Sequence, residues 1–231
     1  MALVIMSFFG DGASAPLSDE ELRQAYETGK SLAPAGCKVE ARALDRTFID
    51  SYYLEGEAPK IALDDPDRLP APVSAGAVSI WMDDTIDNVE LRTREVSQAL
   101  HQALSAVGTA TFDARRHLDL VGEGATPTLQ AVAVVERRTA FDRDTFMQYY
   151  RTHHVPLAKR LKPRFTRYTT FRTLEKIGSF VGDCVTIQEY PSLEELRQHL
   201  ITRTSDGDSA GDDVGNFITH LTYNIGERTL D

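Results

Sequence analysis

The feature that most constrains this chain is an order of elements that occurs twice. In the first half, ALVIMSFF reads as a strand and SDEELRQAYETGKSLA as a helix. CKVEARALDRTF and AGAVSIWMD follow as strands, Asn88–Val107 as a long helix, and FDARRHLDLV as a strand. In the second half, PTLQAVAVVERR, DRDTFMQYYRTHHVPLAKRL, RFTRYTTFRTL, FVGDCVTIQEY, SLEELRQHLITR and NFITHLTYNI repeat that order. Both halves are βαββαβ. Local matches run in the same order: AVSIWMDDTIDNVE beside CVTIQEYPSLEELR, Leu22–Tyr26 beside Phe146–Tyr150, and His117-Leu118 beside His220-Leu221. Helix starts are marked too, by a capping box of Ser18 and Glu21 and by Asp142 or Asp144 as N-cap.

A βαββαβ unit folds into a four-stranded antiparallel sheet with both helices on one face. The other face is then bare, yet strands such as AVAVV and AVSIW are too apolar to meet water. Two such sheets satisfy each other by packing face to face or closing into a barrel. The expected fold is therefore α+β: tandem ferredoxin-like βαββαβ repeats forming an intramolecular dimeric α+β barrel. The repeats are expected at 1–122 and 126–231, joined by VGEGATP, with the pocket in the space between the sheets. Two segments interrupt the pattern. Residues 51–72 form a long insertion that reads equally as a lid or a passive excursion, and the acidic 204–215 is expected to be mobile.

Composition narrows the function. The chain of 231 residues carries a net charge of −10, which disfavours a phosphate backbone or an anionic membrane surface as partner. A small-molecule substrate is expected, with no nucleic acid and no membrane, and further pairing into a homodimer stays open. Two distant cysteines, Cys37 and Cys184, suggest neither a disulfide framework nor a zinc site and suit a reducing cytoplasm. The N-terminal MALVIMSFFGDG has no basic leader and reads as a first strand, and no apolar run is long enough to span a bilayer. The chain contains no phosphate-binding glycine loop, no nucleophile elbow and no close group of metal ligands. DGDSAGD begins like a calcium loop, but Ala210 and Phe217 occupy ligand positions. No metal and no cofactor are expected.

The stretch TFMQYYRTHHVPLAKRL, 145–161, carries the chemistry. On a helical wheel Phe146, Tyr150, His153, Leu157 and Leu161 share one face, with His154 on its flank. Pro156 lacks a donor and clashes with the preceding turn, so the helix is expected to end or kink just after His154. An imidazole there meets under-satisfied carbonyls that can fix its tautomer, as general acid–base chemistry requires. A histidine at a helix end also serves as an ordinary cap or a satisfied core residue.

The pattern Phe146-x3-Tyr150-x3-His154-x-Pro156-Leu157, followed by Arg167-Tyr168, resembles the EthD family of dimeric α+β barrel proteins over roughly residues 128–230. The resemblance implies a cofactor-independent enzyme akin to the polyketide cyclases, decarboxylases, dehydratases and isomerases of that fold, with His154 as the family's histidine. The first repeat departs from it: Lys30 stands at the matching position with no His-x-Pro-Leu, so one site is expected, in the second repeat.

Alternation along FVGDCVTIQEY puts Val181, Val185 and Ile187 towards the helices and Cys184, Thr186, Gln188 and Tyr190 towards the cavity; the same register turns Ser79 and Trp81 inward. Tyr150, Tyr168 and Tyr190 are the candidate hydroxyl donors, and His153, Trp81, Thr186, Gln188, His220 and Ser79 the candidate substrate contacts. His117 and Asp183 rank below them. The expected function is a lyase, cyclase or isomerase acting by His–Tyr acid–base chemistry on a small aromatic or polyketide-like carbonyl or phenol compound. Two alternatives stand beside it: a haem-binding oxidoreductase of the same barrel type, and a non-catalytic ligand-binding module.

Overall fold

The repeat appears as ten strands in a curled antiparallel sheet with helices on its outer face. The computed structural model describes residues 3–10, 16–52, 74–83, 85–121, 126–160, 165–201 and 210–231; the side chains of 46–52, 114–121, 158–159, 199–201 and 210–212 lie outside that description. Most of the 51–72 insertion, the 122–125 part of the linker and the His117 side chain thus lie outside the described residues.

The first half contains β1 (Leu3–Phe9), α1 (Asp19–Leu32), β2 (Lys38–Ala43), β3 (Arg46–Tyr52), β4 (Gly76–Met82), α2 (Val89–Ala103) and β5 (Gly108–Val121). The second contains β6 (Leu129–Arg137), α3 (Arg143–Tyr149), a π-helical turn (Tyr150–His154), α4 (Val155–Arg160), β7 (Arg167–Gly178), β8 (Cys184–Tyr190), α5 (Leu193–Ile201), α6 (Ala210–Phe217), β9 (Ile218–Gly226) and β10 (Thr229–Leu230). The capping box at α1 forms as expected: Ser18 Oγ accepts from the Glu21 amide, and the Glu21 carboxylate accepts from the Ser18 amide at 2.8 Å. At α3, Asp142 rather than Asp144 is the N-cap, accepting from the Thr145 amide at 2.7 Å.

The strand order is β10-β2-β4-β1-β5-β7-β8-β6-β9-β3. Within each half the order is that of a ferredoxin-like sheet. The halves join at three strand pairs, one of them the short pairing of β10 with β2 at Thr229↔Arg42 and Leu230↔Ala41. β5 pairs with β7 from Gly108↔Gly178 to Val121↔Arg167, and β3 pairs with β9 from Arg46↔Ile225 to Tyr52↔His220. The run CKVEARALDRTF, expected as one strand, is bent into two, so β2 stays on its own sheet while β3 crosses to the other. That bend closes the barrel. It brings Gly226 against Ala43, where an added Cβ would collide with the Ala43 carbonyl oxygen.

Three apolar cores result. Val4, Met6, Ala77, Phe112, Val132, Phe171, Val185 and Ile187 fill the barrel interior. Leu3, Ile5, Leu22, Val78, Ile80 and Leu100 pack the first helix layer, and Ala131, Phe146, Tyr150, Tyr190, Leu196 and Phe217 pack the second.

This distribution corrects the expected register of β8. Val185 and Ile187 face the barrel interior, whereas Cys184, Thr186, Gln188 and Tyr190 face the helices. In the first repeat the expectation holds: Trp81 points inward, with Ser79 on the same face. The similarity of AVSIWMD to CVTIQEY sets the two strands one residue out of step. Leu3 pairs with Met82 and Leu129 with Tyr190, so Trp81 corresponds to Glu189, not Gln188. A one-residue slip exchanges the two faces of a strand.

Candidate functional site

Apart from His153, which is exposed, the predicted site residues divide into a buried cluster on the helix side of the second sheet and two groups inside the barrel. The cluster is organised by the π-helical turn. Val155 donates its amide to the Tyr150 carbonyl, five residues back, and the helix continues through α4 rather than ending at His154. The widened turn relieves the demand for a donor at Pro156 and opens the ladder where its ring would meet the Thr152 carbonyl. One extra residue in the turn also rotates the residues after it, so the wheel exchanges the two histidines. His153 is exposed, stacked on Tyr149 with ring centroids 4.6 Å apart, while His154 is buried at 7% exposure. Such single-turn widenings are frequent at functional sites.

The His154 ring lies 5.0 Å from that of Tyr150 and 5.2 Å from that of Phe217. Its Nδ1 is 3.0 Å from Asp213 Oδ2. Tyr149 donates to the other oxygen of the same carboxylate at 2.8 Å. Burial works against the charged form of Asp213, but hydrogen bonds from His154, Tyr149 and Asn216 outweigh it and hold its pKa below the usual aspartate value. An ionised carboxylate can only accept, so it selects the Nδ1–H tautomer of a neutral His154 and leaves Nε2 as the basic nitrogen.

Asp213 is a site residue that the sequence patterns do not single out. It sits on α6, within the acidic stretch 204–215 expected to be mobile; of that stretch, 210–215 begins the helix that runs to Phe217. A partial signal exists, because Val214 and Phe217 are three apart, as on one helical face. Phe217 is fully buried among Phe146, Tyr149, Tyr150 and His154, and this anchors α6 so that Asp213 reaches the imidazole. Asp183, the carboxylate considered from sequence, instead accepts from the Arg137 amide at 3.2 Å and lies 3.6 Å from Lys176 Nζ.

Behind His154, Tyr150 and Tyr168 share a hydrogen bond of 2.5 Å, Tyr150 bonds Thr186 at 3.1 Å, and Thr186 bonds Thr170 at 3.0 Å. Burial, helped by Cys184, pushes the Tyr150 phenol up to about 12, and burial likewise raises Tyr168, so both remain protonated donors. Further along the sheet, Tyr190 and Tyr223 both donate to Gln188 Oε1, the latter at 2.6 Å. Thr186 and Gln188 therefore belong to this helix-side network and not to the barrel cavity.

The inward-facing predictions lie on the other side of the sheet. Trp81 lines a cavity of about 140 Å³ with Lys38, Glu40, Arg42 and Arg167, and Ser79 lies beside it, accepting from Arg42 at 3.0 Å. His220 lines a more apolar cavity of about 230 Å³ with Phe8, Val134 and Phe180, its Nδ1 3.4 Å from Glu136. Neither cavity is lined by His154, so these spaces between the sheets, the expected place of the pocket, are not beside the histidine. The first-repeat counterparts of Tyr150 and His154 are Tyr26 and Lys30 on α1, with the Lys30 ammonium 5.4 Å from the Tyr26 ring centroid. Among the described residues no three His, Cys, Asp or Glu side chains are grouped to hold a metal ion, and no helix is long and apolar enough to cross a membrane.

No protein-family model and no curated protein matches the chain. Solved structures do. An anthrone oxidase-like protein superposes with a TM-score of 0.54 at 12% identity, over 99% of this chain and 92% of its own. An EthD-family protein from Bacillus halodurans is 25% identical over 43% of this chain and 97% of its own, with a TM-score of 0.36. A DypB variant from Rhodococcus jostii in complex with heme gives a TM-score of 0.47 at 11% identity, over 100% and 96% of the two chains. The likeness to the anthrone oxidase-like protein shows the fold, that of the ferredoxin-like α+β barrel proteins.

Proposed function

We propose that the chain is an enzyme of two repeats, 1–122 and 126–231, whose second repeat performs cofactor-independent proton transfer on a small aromatic or polyketide-like carbonyl or phenol compound. The observation that carries this reading is the buried pair of His154 Nδ1 and Asp213 Oδ2, 3.0 Å apart. The carboxylate orients the imidazole and stabilises the imidazolium formed when Nε2 takes a proton. Tyr150 and Tyr168, held protonated, supply the hydroxyls that would stabilise an adjacent enolate or phenolate. Proton removal beside a carbonyl, followed by loss of water or carbon dioxide or by ring closure, gives lyase, cyclase or isomerase outcomes from one base. Ser79, Trp81 and His220 stand apart from this site and have no part in it.

The test works with model compounds and does not require the physiological substrate. The protein is incubated in D₂O with a panel of anthrone, β-diketones and hydroxylated aryl ketones, and deuterium incorporation or product is followed by NMR and mass spectrometry. Catalysed exchange should fall by roughly 10²–10⁴-fold in His154→Gln, the usual contribution of a positioned base, with folding unchanged. Equal rates in wild type and His154→Gln would reject His154 as the base.

The same geometry favours one second reading. A metal-bound histidine characteristically donates its other ring N–H to a carboxylate, so His154 Nε2 could hold a haem iron with Asp213 behind it. The iron would supply redox chemistry. Adding hemin would then shift and sharpen its Soret band, a change lost in His154→Ala; the spectrum of free hemin in the wild type removes this reading.

A further inference from the structure

We propose that the 140 Å³ cavity at the junction of the repeats is a second ligand site, for a one-ring aromatic carboxylate. Its walls come from equivalent strands of the two halves: Lys38, Glu40 and Arg42 of β2 with Trp81 of β4, and Arg167, Thr169 and Phe171 of β7 with Ile187 and Glu189 of β8. It lies on the opposite face of the sheet from His154.

Comparison of the halves shows what the fold itself requires. Lys38 pairs with Trp81 and Arg167 with Glu189, and these pairs occupy matching registers. Two residues on, Glu40 matches Thr169; two further, Arg42 matches Phe171. The second repeat closes its side of the barrel with a threonine and a phenylalanine, so the carboxylate and guanidinium of the first are not needed for closure. They are costly, because burying charge carries a desolvation penalty that a close pair only partly offsets. Arg42 is 4% exposed and Glu40 8%.

The charges do not balance. Glu40 accepts from both Lys38, at 2.6 Å, and Arg42, so two cations converge on one carboxylate. Asp231 is 4.0 Å from Lys38 but 69% exposed, and solvent screens it. Arg167 and Glu189 stand opposite each other in register and add one charge of each sign to the wall. Among the described lining residues, three cations (Lys38, Arg42, Arg167) face two carboxylates (Glu40, Glu189), an excess of one positive charge that an anion would neutralise. Arg42 commits three of its five donors to Gln130, Ser79 and Glu40, which fixes its planar fork, a shape matched to carboxylate recognition.

The rest of the wall suits an aromatic body. Trp81 is held by its indole N–H on Glu40 at 3.1 Å and meets Phe171 edge-on at 5.4 Å, with Ile187 beside them. A cavity of roughly 150 Å³ accommodates a benzene ring, so the space corresponds to one ring.

Trp81 is the only tryptophan, so its fluorescence reports on this cavity alone. The full chain is titrated with benzoate and, separately, with its neutral analogue benzamide. Benzoate should give a saturable change that benzamide does not. Lys38→Gln, at a side chain 47% exposed, and Arg167→Gln should each weaken benzoate roughly tenfold or more, about 1.4 kcal/mol, while far-UV circular dichroism confirms the fold. His154→Gln should leave the titration unchanged, which separates this site from the proposed active site. Equal responses to benzoate and benzamide, no saturable response, or undiminished binding in both rim variants would overturn the proposal.

Discussion

Glu40→Gln should destabilise the barrel strongly near neutral pH and less in acid. Burial raises the Glu40 pKa, but the Arg42 charge and the hydrogen bonds from Lys38 and Arg42 outweigh it, bringing the carboxyl down to about 2 from an ordinary value of 4.5. At about 1.36 kcal/mol per pKa unit, that difference of roughly 2.5 units corresponds to about 3 kcal/mol favouring the folded state. The sign follows from the depressed folded value. The contribution is fully present above the unfolded pKa and is lost as the pH falls from about 4.5 towards 2. Glutamine keeps the shape, loses the charge and leaves Arg42 buried without its carboxylate, a change that costs about 3–5 kcal/mol for a broken buried pair. Urea denaturation followed by far-UV circular dichroism, near pH 7 and near pH 3, measures the gap between wild type and variant. Other carboxylates cancel in that difference to first order. The gap should shrink by about 1–2 kcal/mol towards acid, as part of the pKa difference is traversed. A gap that is constant over the range would refute the ion-pair account of Glu40.

Phe217→Ala should cost about 3–5 kcal/mol in chemical denaturation, since the ring is fully buried against Phe146, Tyr149, Tyr150 and His154; a loss under about 1 kcal/mol would mean that α6 is not anchored there. Tyr150→Phe keeps the ring but takes from Tyr168 its hydroxyl partner and from Thr186 one of two, Thr170 remaining, so it should destabilise by about 1–3 kcal/mol, and a neutral result would contradict the hydroxyl network. Gly226→Ala should be worse than an ordinary surface change, because the new Cβ meets backbone rather than a side chain that can move; an unchanged melting temperature would show that β2 and β9 are not in close contact.

Alternation and repeat make the architecture legible in the sequence. Each βαββαβ half has strands whose bare face must be covered, and Ala77, Trp81, Val132 and Phe171 do cover it. The register of β8 is not legible, because CVTIQEY is buried on both faces: one packs the barrel and the other packs helices. Aligning it by similarity on AVSIWMD then carries a one-residue slip that only strand pairing reveals. The choice between His153 and His154 is ambiguous for a related reason. A helical wheel assumes an unbroken ladder, and the π turn at Tyr150–His154 breaks it just before the proline that hints at irregularity. Asp213 is separated from His154 by 59 residues of chain. Its acidic neighbourhood, in a stretch of Ser, Gly and Asp, carries only the composition of a loop, and the anchoring role of Phe217 is a long-range contact that no local pattern encodes.

The central claim is that Asp213 holds His154 with its proton on Nδ1 and its lone pair on Nε2. Long-range ¹H–¹⁵N correlation spectra of labelled protein, with the His154 signals identified by their loss in His154→Gln, measure this directly. In the neutral imidazole, Nδ1 should be protonated and Nε2 unprotonated, and that tautomer bias should be lost in Asp213→Asn. A proton on Nε2, or a His154 signal indifferent to Asp213→Asn, would contradict it.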